Sequence, residues 1–444
     1  MPARWLQGIP FRVPMDAIYF TGMPLLAPRL LAGRRVFRET AGRFLAHLSS
    51  GGPWRARGDA PVLIHAVSVG EVQIGVRLAA ALEALGLPCA LATATRRGAQ
   101  AARKAGVEPL AAPLDFAVSV NGVLGALRPR ALALVELELW PNLISVAARG
   151  GPVIVVNGRV SARTFPRYLR LKSVLRGVVR RVSLVLAQNA AYAHRFRELG
   201  FARVETAGNI KYDAAPPVAS PRERLDIRLS LRCPERVTLL IGGSTYREEE
   251  EALLDAFVAL RKRESDARLI LAPRQSDHFD ALDEAIRRRG LRRRRMSAEA
   301  TVGWDVLVVD TVGDLARLYG AADIAFVGGS LFAGKGGHSV IEPAARGVGV
   351  LVGPHHANFA DAVLMLSAAG GLRVVRDAAA LRDAVLDGVR DRSALERMGG
   401  EGARAVDLHR GAAGRQARAI ATLLRKASAR TRSGWRPPRR PPRP

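Results

Sequence analysis

A glutamate closes the segment His65-Ala66-Val67-Ser68-Val69-Gly70-Glu71, where the apolar run Val62 to Val67 gives way to a helix-patterned stretch. A carboxylate at the carboxyl end of a β-strand lies where open α/β sheets take their ligands, and Gly70 is expected to supply the turn that aims it outward. The same position suits an acid for a plainer reason, since a negative charge complements a helix N-terminus. Far downstream, Gly328-Gly329-Ser330 follows the apolar run Ile324 to Val327 and leads through Gly334 and Gly336-Gly337-His338 to Glu342-Pro343. Those glycines predict a turn and then a helix starting near His338, whose unpaired N–H groups would bind an anion without a metal. Glu342 would fall one turn inside, within reach of ribose hydroxyls. The spacing fits neither a Walker A loop nor the dinucleotide fingerprint.

Other strand ends add to the two clusters. Pro273-Arg274 places a guanidinium after the run Arg268 to Leu271, and a guanidinium can fork onto phosphate or carboxylate. Ser244-Thr245 ends the run beginning near Leu239 and would face the same ligand. In Val135-Glu136-Leu137-Glu138-Leu139-Trp140-Pro141-Asn142 two carboxylates stand two residues apart, and alternation on a strand sends them to opposite faces. One of the pair is expected to be functional, with Glu138, nearer the helix start, preferred. Asn157-Gly158-Arg159-Val160-Ser161 reads as a continuation of the polar rim. No Asp-x-Asp pair occurs, which disfavours metal-chelated diphosphate chemistry, and His355-His356 reads as a loop pair rather than a metal site. No serine lies in a Gly-x-Ser-x-Gly elbow, and the two cysteines, Cys89 and Cys233, have no nearby histidine, which argues against hydrolases and against a disulfide framework. Cytosolic exposure follows from the cysteine usage.

From Val62 onward, short β-rich runs alternate with amphipathic stretches, the pattern of parallel sheets with crossover helices. The alternation breaks at Ala214-Ala215-Pro216-Pro217-Val218-Ala219-Ser220 and then restarts. The reading is an α/β chain of two Rossmann-like domains, 61–213 and 221–425, joined by a linker at 214–220, with the site in the cleft between them. A lead-in occupies 1–60, and a basic, proline-rich tail expected to be disordered occupies 426–444.

The net charge of +28 calls for an anionic partner. With only 5% aromatic residues and no aromatics interleaved among the basic blocks, a nucleic-acid platform is disfavoured, leaving an anionic membrane surface. The block Arg287 to Arg295 reads as the solvated end of a helix and its turn. Residues 14–35 combine leucines and aromatics with Arg29, Arg34 and Arg35, enough to lie in a bilayer interface but too interrupted to cross it. No signal-peptide cleavage pattern is present.

Taken in order, His65 to Glu71, Glu136 to Asn142, Asn157 to Ser161, Gly208 to Asp213, Ser244-Thr245, Pro273-Arg274, Asp310 to Leu315, Phe326 to Ser330, Gly336 to Pro343 and Gly353-Pro354-His355 resemble the Kdo transferases of lipopolysaccharide biosynthesis. The resemblance implies a GT-B architecture and inverting, metal-independent transfer of 3-deoxy-D-manno-octulosonate (Kdo) from CMP-Kdo, the donor substrate, to a lipid A precursor at the cytoplasmic face of the inner membrane. No cofactor is implied. It makes Glu71 the general base. Ser68, Gly70, Glu136, Glu138, Asn157 and Arg159 fall on the acceptor side, and Ser244, Thr245, Pro273, Arg274, Gly313, Gly336, Gly337, His338, Glu342 and Asn358 on the donor side. The chain departs from the family pattern at Thr93-Ala94-Thr95-Arg96-Arg97-Gly98, at Tyr246 in place of a histidine, at Gln275-Ser276 in place of His-Pro, and at Ser339 in place of an asparagine. The competing readings are a GT-B-fold nucleotide-sugar epimerase, which requires neither Glu71 nor an apolar N-terminal segment, and a non-catalytic basic membrane-binding protein, against which the joint presence of Glu71, Arg274 and Glu342 argues.

Overall fold

The computed structural model describes residues 60–433 apart from 276 and 300–302, with side chains to 427. They form two compact units, one running to Asp213 and taking in the chain again from Arg410, the other spanning Ala214–His409. The interfacial segment expected at 14–35 lies outside the described residues.

The first unit alternates β1 (Val62–His65), α1 (Val69–Glu83), β2 (Cys89–Thr93), α2 (Arg96–Lys104), β3 (Leu110–Ala111), α3 (Ala117–Leu127), β4 (Ala131–Val135) and α4 (Pro141–Gly150). It continues through β5 (Val153–Gly158), α5 (Phe165–Arg170), α6 (Lys172–Val179), β6 (Val182–Ala187), α7 (Ala190–Glu198) and β7 (Val204–Thr206). All neighbours pair in parallel in the order β3-β2-β1-β4-β5-β6-β7. Parallel strands covered by helices on both faces read as unbroken apolar runs. Leu63, Leu132, Leu134 and Val155 bury against Val120, Leu124, Leu143 and Ile144 on one face, and Ile64, Ala133, Ile154 and Val156 against Val72, Leu78 and Leu82 on the other.

The second unit carries α8 (Pro221–Ser230), β8 (Leu239–Thr245), α9 (Arg247–Arg261), β9 (Arg268–Pro273), α10 (Phe279–Arg288), β10 (Arg293–Arg295), β11 (Val306–Val308) and α11 (Leu315–Leu318). There follow β12 (Ile324–Val327), α12 (Ile341–Ala345), β13 (Gly349–Val352), α13 (Ala360–Ala368), β14 (Leu372–Val374), α14 (Ala378–Arg390) and α15 (Arg392–Leu408). Its parallel sheet has the order β10-β11-β9-β8-β12-β13-β14.

In each sheet the chain first builds one side of its leading strand, in the second unit laying down the edge strand β10 before β11 fills the place beside β9, and then returns to the other side. The reversal falls between β1 and β4 in the first unit and between β8 and β12 in the second. At such a switch point the helices leave on opposite faces and a crevice opens at the carboxyl ends of the two strands, the place where doubly wound sheets bind ligands.

Three expectations are corrected. The final helix, α16 (Ala412–Ser433), belongs to the first unit and not to a C-terminal domain ending at 425. Its Ala417, Ile420 and Leu424 bury with Leu78 and Leu82 of α1, and Asp213 caps its start through the N–H groups of Ala412 and Ala413. The same helix continues through Ser433, so the expected disorder does not begin at 426; residues from 434 lie outside those described. The block Arg287–Arg295 is a solvated helix end and turn only in its first half, where the exposed Arg287 and Arg288 close α10 and Gly290 turns the chain at φ 69°. The second half contains the edge strand β10, with Arg294 turned inward to donate to the Leu231 carbonyl and Arg293 and Arg295 paired with Asp283. Alternation on a strand sends these neighbours to opposite sides, where acids await them.

Candidate active site

At the first switch point the end of β1 is held from several directions. Ser68 caps α1 by accepting from the Glu71 N–H at 3.3 Å, and its hydroxyl donates to Glu71 Oε1 at 2.7 Å. The other carboxylate oxygen accepts the Val67 N–H at 2.8 Å, while the Val67 carbonyl accepts the hydroxyls of Thr93 and Thr95 at 3.3 and 3.0 Å. Glu71 therefore does satisfy its own helix start, and in doing so it becomes fixed while staying partly exposed. Two threonines in the segment that departs from the family pattern brace it from below. Gly70 does not make the expected turn, because it lies inside the first turn of α1 with open space where a Cβ would stand.

Beside it, the end of β4 contributes Glu136 and Glu138. Glu136 has φ 60°, a left-handed conformation that bulky residues rarely hold, and its carboxylate pairs with Lys211 at 3.2 Å. Glu138 accepts the Trp140 indole N–H at 2.7 Å. Burial pushes the Glu138 carboxyl up, and the charges of Glu71 and Glu136 add to that, against the indole hydrogen bond. Glu138 is thus close enough to the other two carboxylates to feel their charge. Under them His65 is fully buried with neither ring nitrogen bonded, its ring edge-on to Trp140 with centroids 5.3 Å apart. Burial lowers its pKa to about 4, so it is neutral near pH 7.

Asn157 is not part of a rim. It is wholly buried at φ 52°, takes the Ile210 N–H on Oδ1 at 2.9 Å, and is bonded through its own backbone to Gln188 and to Gln416 of α16. Its work is to tie β5 to the closing helix. Arg159, two residues on, is half-buried.

The second switch point is arranged differently. Gly328 and Gly329 leave β12, and a Cβ on Gly328 would lie 2.5 Å from the Ser244 carbonyl. Gly329 has φ 70°. The N–H groups of Gly329, Ser330 and Leu331 all point at one buried carboxylate, Glu249 of α9, at 2.7 to 2.9 Å, and the same group accepts the Tyr246 N–H at 3.0 Å. The first half of the glycine-rich loop is therefore filled by the protein itself. The helix expected at His338 begins only at Ile341, so Glu342 sits in its first turn; burial pushes its carboxyl up.

The remaining donor-side candidates divide into those that face outward and those that brace. Arg274 is exposed just past β9, its N–H donated to the Thr245 carbonyl and its guanidinium near enough to His338 to depress that imidazole, after burial. His338 stacks on Tyr246 with centroids 5.9 Å apart, and the Lys335 ammonium stands 4.6 Å from the Tyr246 ring centre. Ser244, half-buried, holds φ 56°. Thr245 is turned away: it is fully buried and donates to Glu250, itself bonded to His278. Asn358 braces the loop by donating to the Lys335 carbonyl at 3.1 Å. Gly336 and Gly337 both have positive φ, and a Cβ on Gly336 would meet the Asn358 amide at 2.8 Å. Gly313 lies on an exposed loop at φ 110° and Pro273 ends β9.

Sequence reasoning gave no role to Glu249, Lys211, Tyr246 or Lys335, although Lys211 and Tyr246 fall in motifs it singled out. Glu249 left a signal of its own, three residues after the N-cap Tyr246 as in a capping box. Among the described residues no three His, Cys, Asp or Glu side chains are arranged to hold a metal ion.

Two parallel doubly wound units with polar switch points define a class. The likeness to solved glycosyltransferases and epimerases of this build shows the fold: a glycosyltransferase from Rickettsia africae ESF-5 (12% identity, TM-score 0.55, covering 84% of this chain and 99% of that one) and a UDP-GlcNAc 2-epimerase from Neisseria meningitidis (11% identity, TM-score 0.57, covering 82% and 100%). The chain has the GT-B fold. Residues 37–214 match the family described as 3-deoxy-D-manno-octulosonic-acid transferase (kdotransferase). The transferase of that name from Haemophilus influenzae is 32% identical over 362 residues, covering 79% of this chain and 84% of its own. The one from Bordetella pertussis is 34% identical over 334 residues, covering 72% and 77%. The chain belongs to the 3-deoxy-D-manno-octulosonic acid transferase family, and its reaction is Kdo transfer in lipopolysaccharide biosynthesis.

Proposed function

We propose that the chain moves Kdo from CMP-Kdo to a hydroxyl of a lipid A precursor, with inversion and without a metal, as a peripheral protein on the cytoplasmic face of the inner membrane. The observation that carries this reading is the fixed carboxylate of Glu71 within a group of three acids at the β1/β4 switch point. An acceptor hydroxyl must lose its proton as it attacks the sugar, and Glu71 is the group that takes it. The departing CMP carries one phosphate, and Arg274 supplies the positive charge that this leaving group needs. Glu342 faces the nucleoside. Membership of the family supports the donor and the reaction.

No described helix is long and apolar enough to cross a membrane, which suits a peripheral attachment. The deciding experiment supplies purified protein with CMP-Kdo generated in situ and a tetra-acylated, bisphosphorylated lipid A precursor, and reads the lipid by mass spectrometry. The expected result is a mass increase by whole Kdo residues; an unmodified lipid beside consumed CMP-Kdo would refute the acceptor. Turnover is expected to survive excess EDTA, and loss restored by magnesium or manganese would contradict the metal-free mechanism.

A further inference from the structure

Next to Glu138 the first unit contains a cavity of about 580 Å³, walled chiefly by Phe116, Leu137, Leu139, Trp140, Tyr168 and Leu175. That volume is in the range of sites that enclose a small ligand. Of the polar groups in its wall, Asp115, Glu138 and Thr164 already have partners. Asp115 accepts the N–H groups of Asn142 and Leu143 at the start of α4, and Glu138 accepts the Trp140 indole. What remains open to an occupant is apolar apart from the Arg167 guanidinium and the Tyr168 hydroxyl.

The cover of the cavity is formed by α5, α6 and the Leu171 between them, where Leu169, Leu171 and Val174 are exposed (42%, 42% and 71%). This cover is strongly basic. From Leu139 to Arg197 the chain has eleven Lys and Arg and no Asp or Glu. Among the described residues, Arg163, Arg167, Arg170, Lys172, Arg176, Arg180 and Arg181 have no carboxylate in ion-pair range; Arg170 and Arg181 bond only to carbonyls of their own helices. The other basic block behaves oppositely, with Arg287, Arg288, Arg289, Arg292, Arg293 and Arg295 each paired with an acid. An unneutralised basic surface around an apolar cavity is complementary to a molecule that is apolar at one end and anionic nearby.

We propose that this cavity takes one fatty-acyl chain of an anionic glycolipid acceptor, with the arginines of α5 and α6 receiving its phosphates. The assignment rests on the acceptor reading given above and adds where the lipid is held. Glu138 lines the cavity and senses the Glu71 charge, so a chain seated there leaves its head group beside the carboxylates. Burying each methylene strengthens binding, which gives the cavity purchase on chain length.

Trp140 is a reporter inside the wall. Titrating the full chain with 12-bromododecanoate, below the concentration at which it forms micelles, is expected to quench tryptophan fluorescence saturably. The quenching disappears in Trp140→Phe, and its midpoint rises about tenfold in a Leu171→Gln, Leu175→Gln double variant whose melting curve matches the parent. With the tetra-acylated precursor, the double variant is expected to raise the acceptor KM about tenfold and leave the donor KM unchanged. Quenching that survives Trp140→Phe, or a parental midpoint in the double variant, overturns the proposal. Should the double variant lose binding to phosphatidylglycerol vesicles while keeping the parental midpoint and acceptor KM, the surface is a bilayer contact and the proposal is likewise overturned. Saturable quenching lost in Trp140→Phe, in a parent that transfers nothing to the lipid, would support an acyl site and refute the acceptor reading, so the two failures are told apart. If Leu175→Gln unfolds the protein, the exposed Leu171→Gln alone carries the same measurements.

Discussion

The two units repeat one winding pattern and put opposite charges at the equivalent place. In the first, the crevice beside the leading strand holds three carboxylates, of which Glu138 is pushed up by burial and by the charges of the other two, with Lys211 drawn in by Glu136. In the second, Glu249 is buried under four backbone N–H groups, and Arg274 and Lys335 are left facing outward. A shared topology fixes where a site lies but not what it does. On the proposed reading one crevice takes a proton and the other holds an anion.

The comparison is tested most severely at Glu71. Replacing it by Gln keeps the helix start and removes the proton acceptor, so transfer is expected to fall at least about a hundredfold with CMP affinity unchanged. Turnover close to the parent's would remove Glu71 as the base. Next comes the buried His65, whose pKa falls from 6.5 in the unfolded chain to about 4 when folded. Below pH 6.5 the unfolded state binds the proton first, so the stability that His65 contributes is present above pH 6.5 and is lost as pH falls toward 4, by up to about 3 kcal/mol. Urea unfolding from pH 7 to pH 4 should therefore be less pH-dependent in His65→Leu than in the parent; parallel curves would contradict the neutral, buried imidazole. In the second unit, Glu249→Gln leaves loop N–H groups without acceptors and is expected to cost about 2 kcal/mol in thermal unfolding and to weaken CMP binding without touching a ligand directly. Unchanged CMP affinity would mean the loop does not shape the pocket. The smallest effect expected is for Arg274→Ala, about a tenfold rise in donor KM.

Much of the frame was legible in the sequence because parallel strands buried on both faces are short unbroken apolar runs. Ile324–Val327 is read to the residue, and the glycines after it mark the loop. Strands β3 and β7, two and three residues long, carry too little pattern to see, and β10 is masked by being all arginine. The placement of a candidate was legible where the side chain stands at its own strand end, as with Glu71 and Arg274. It was not where the partner is remote: Asn157 and Thr245 occupy the expected positions but are turned inward, toward Ile210 and Glu250, and Glu249 reaches a loop 80 residues away. Nor does periodicity reveal that α16 returns to the first unit, since its apolar stripe would suit either core.

The division of labour between the two crevices is tested most directly by measuring single-turnover transfer and CMP affinity side by side in Glu71→Gln and Arg274→Ala. The account predicts a crossed result: Glu71→Gln loses transfer at saturating donor and keeps CMP affinity, whereas Arg274→Ala loses CMP affinity and recovers much of its transfer once donor is saturating. If Glu71→Gln also loses CMP affinity, or Arg274→Ala binds CMP as the parent does, proton removal and anion binding are not separated between the two units as described.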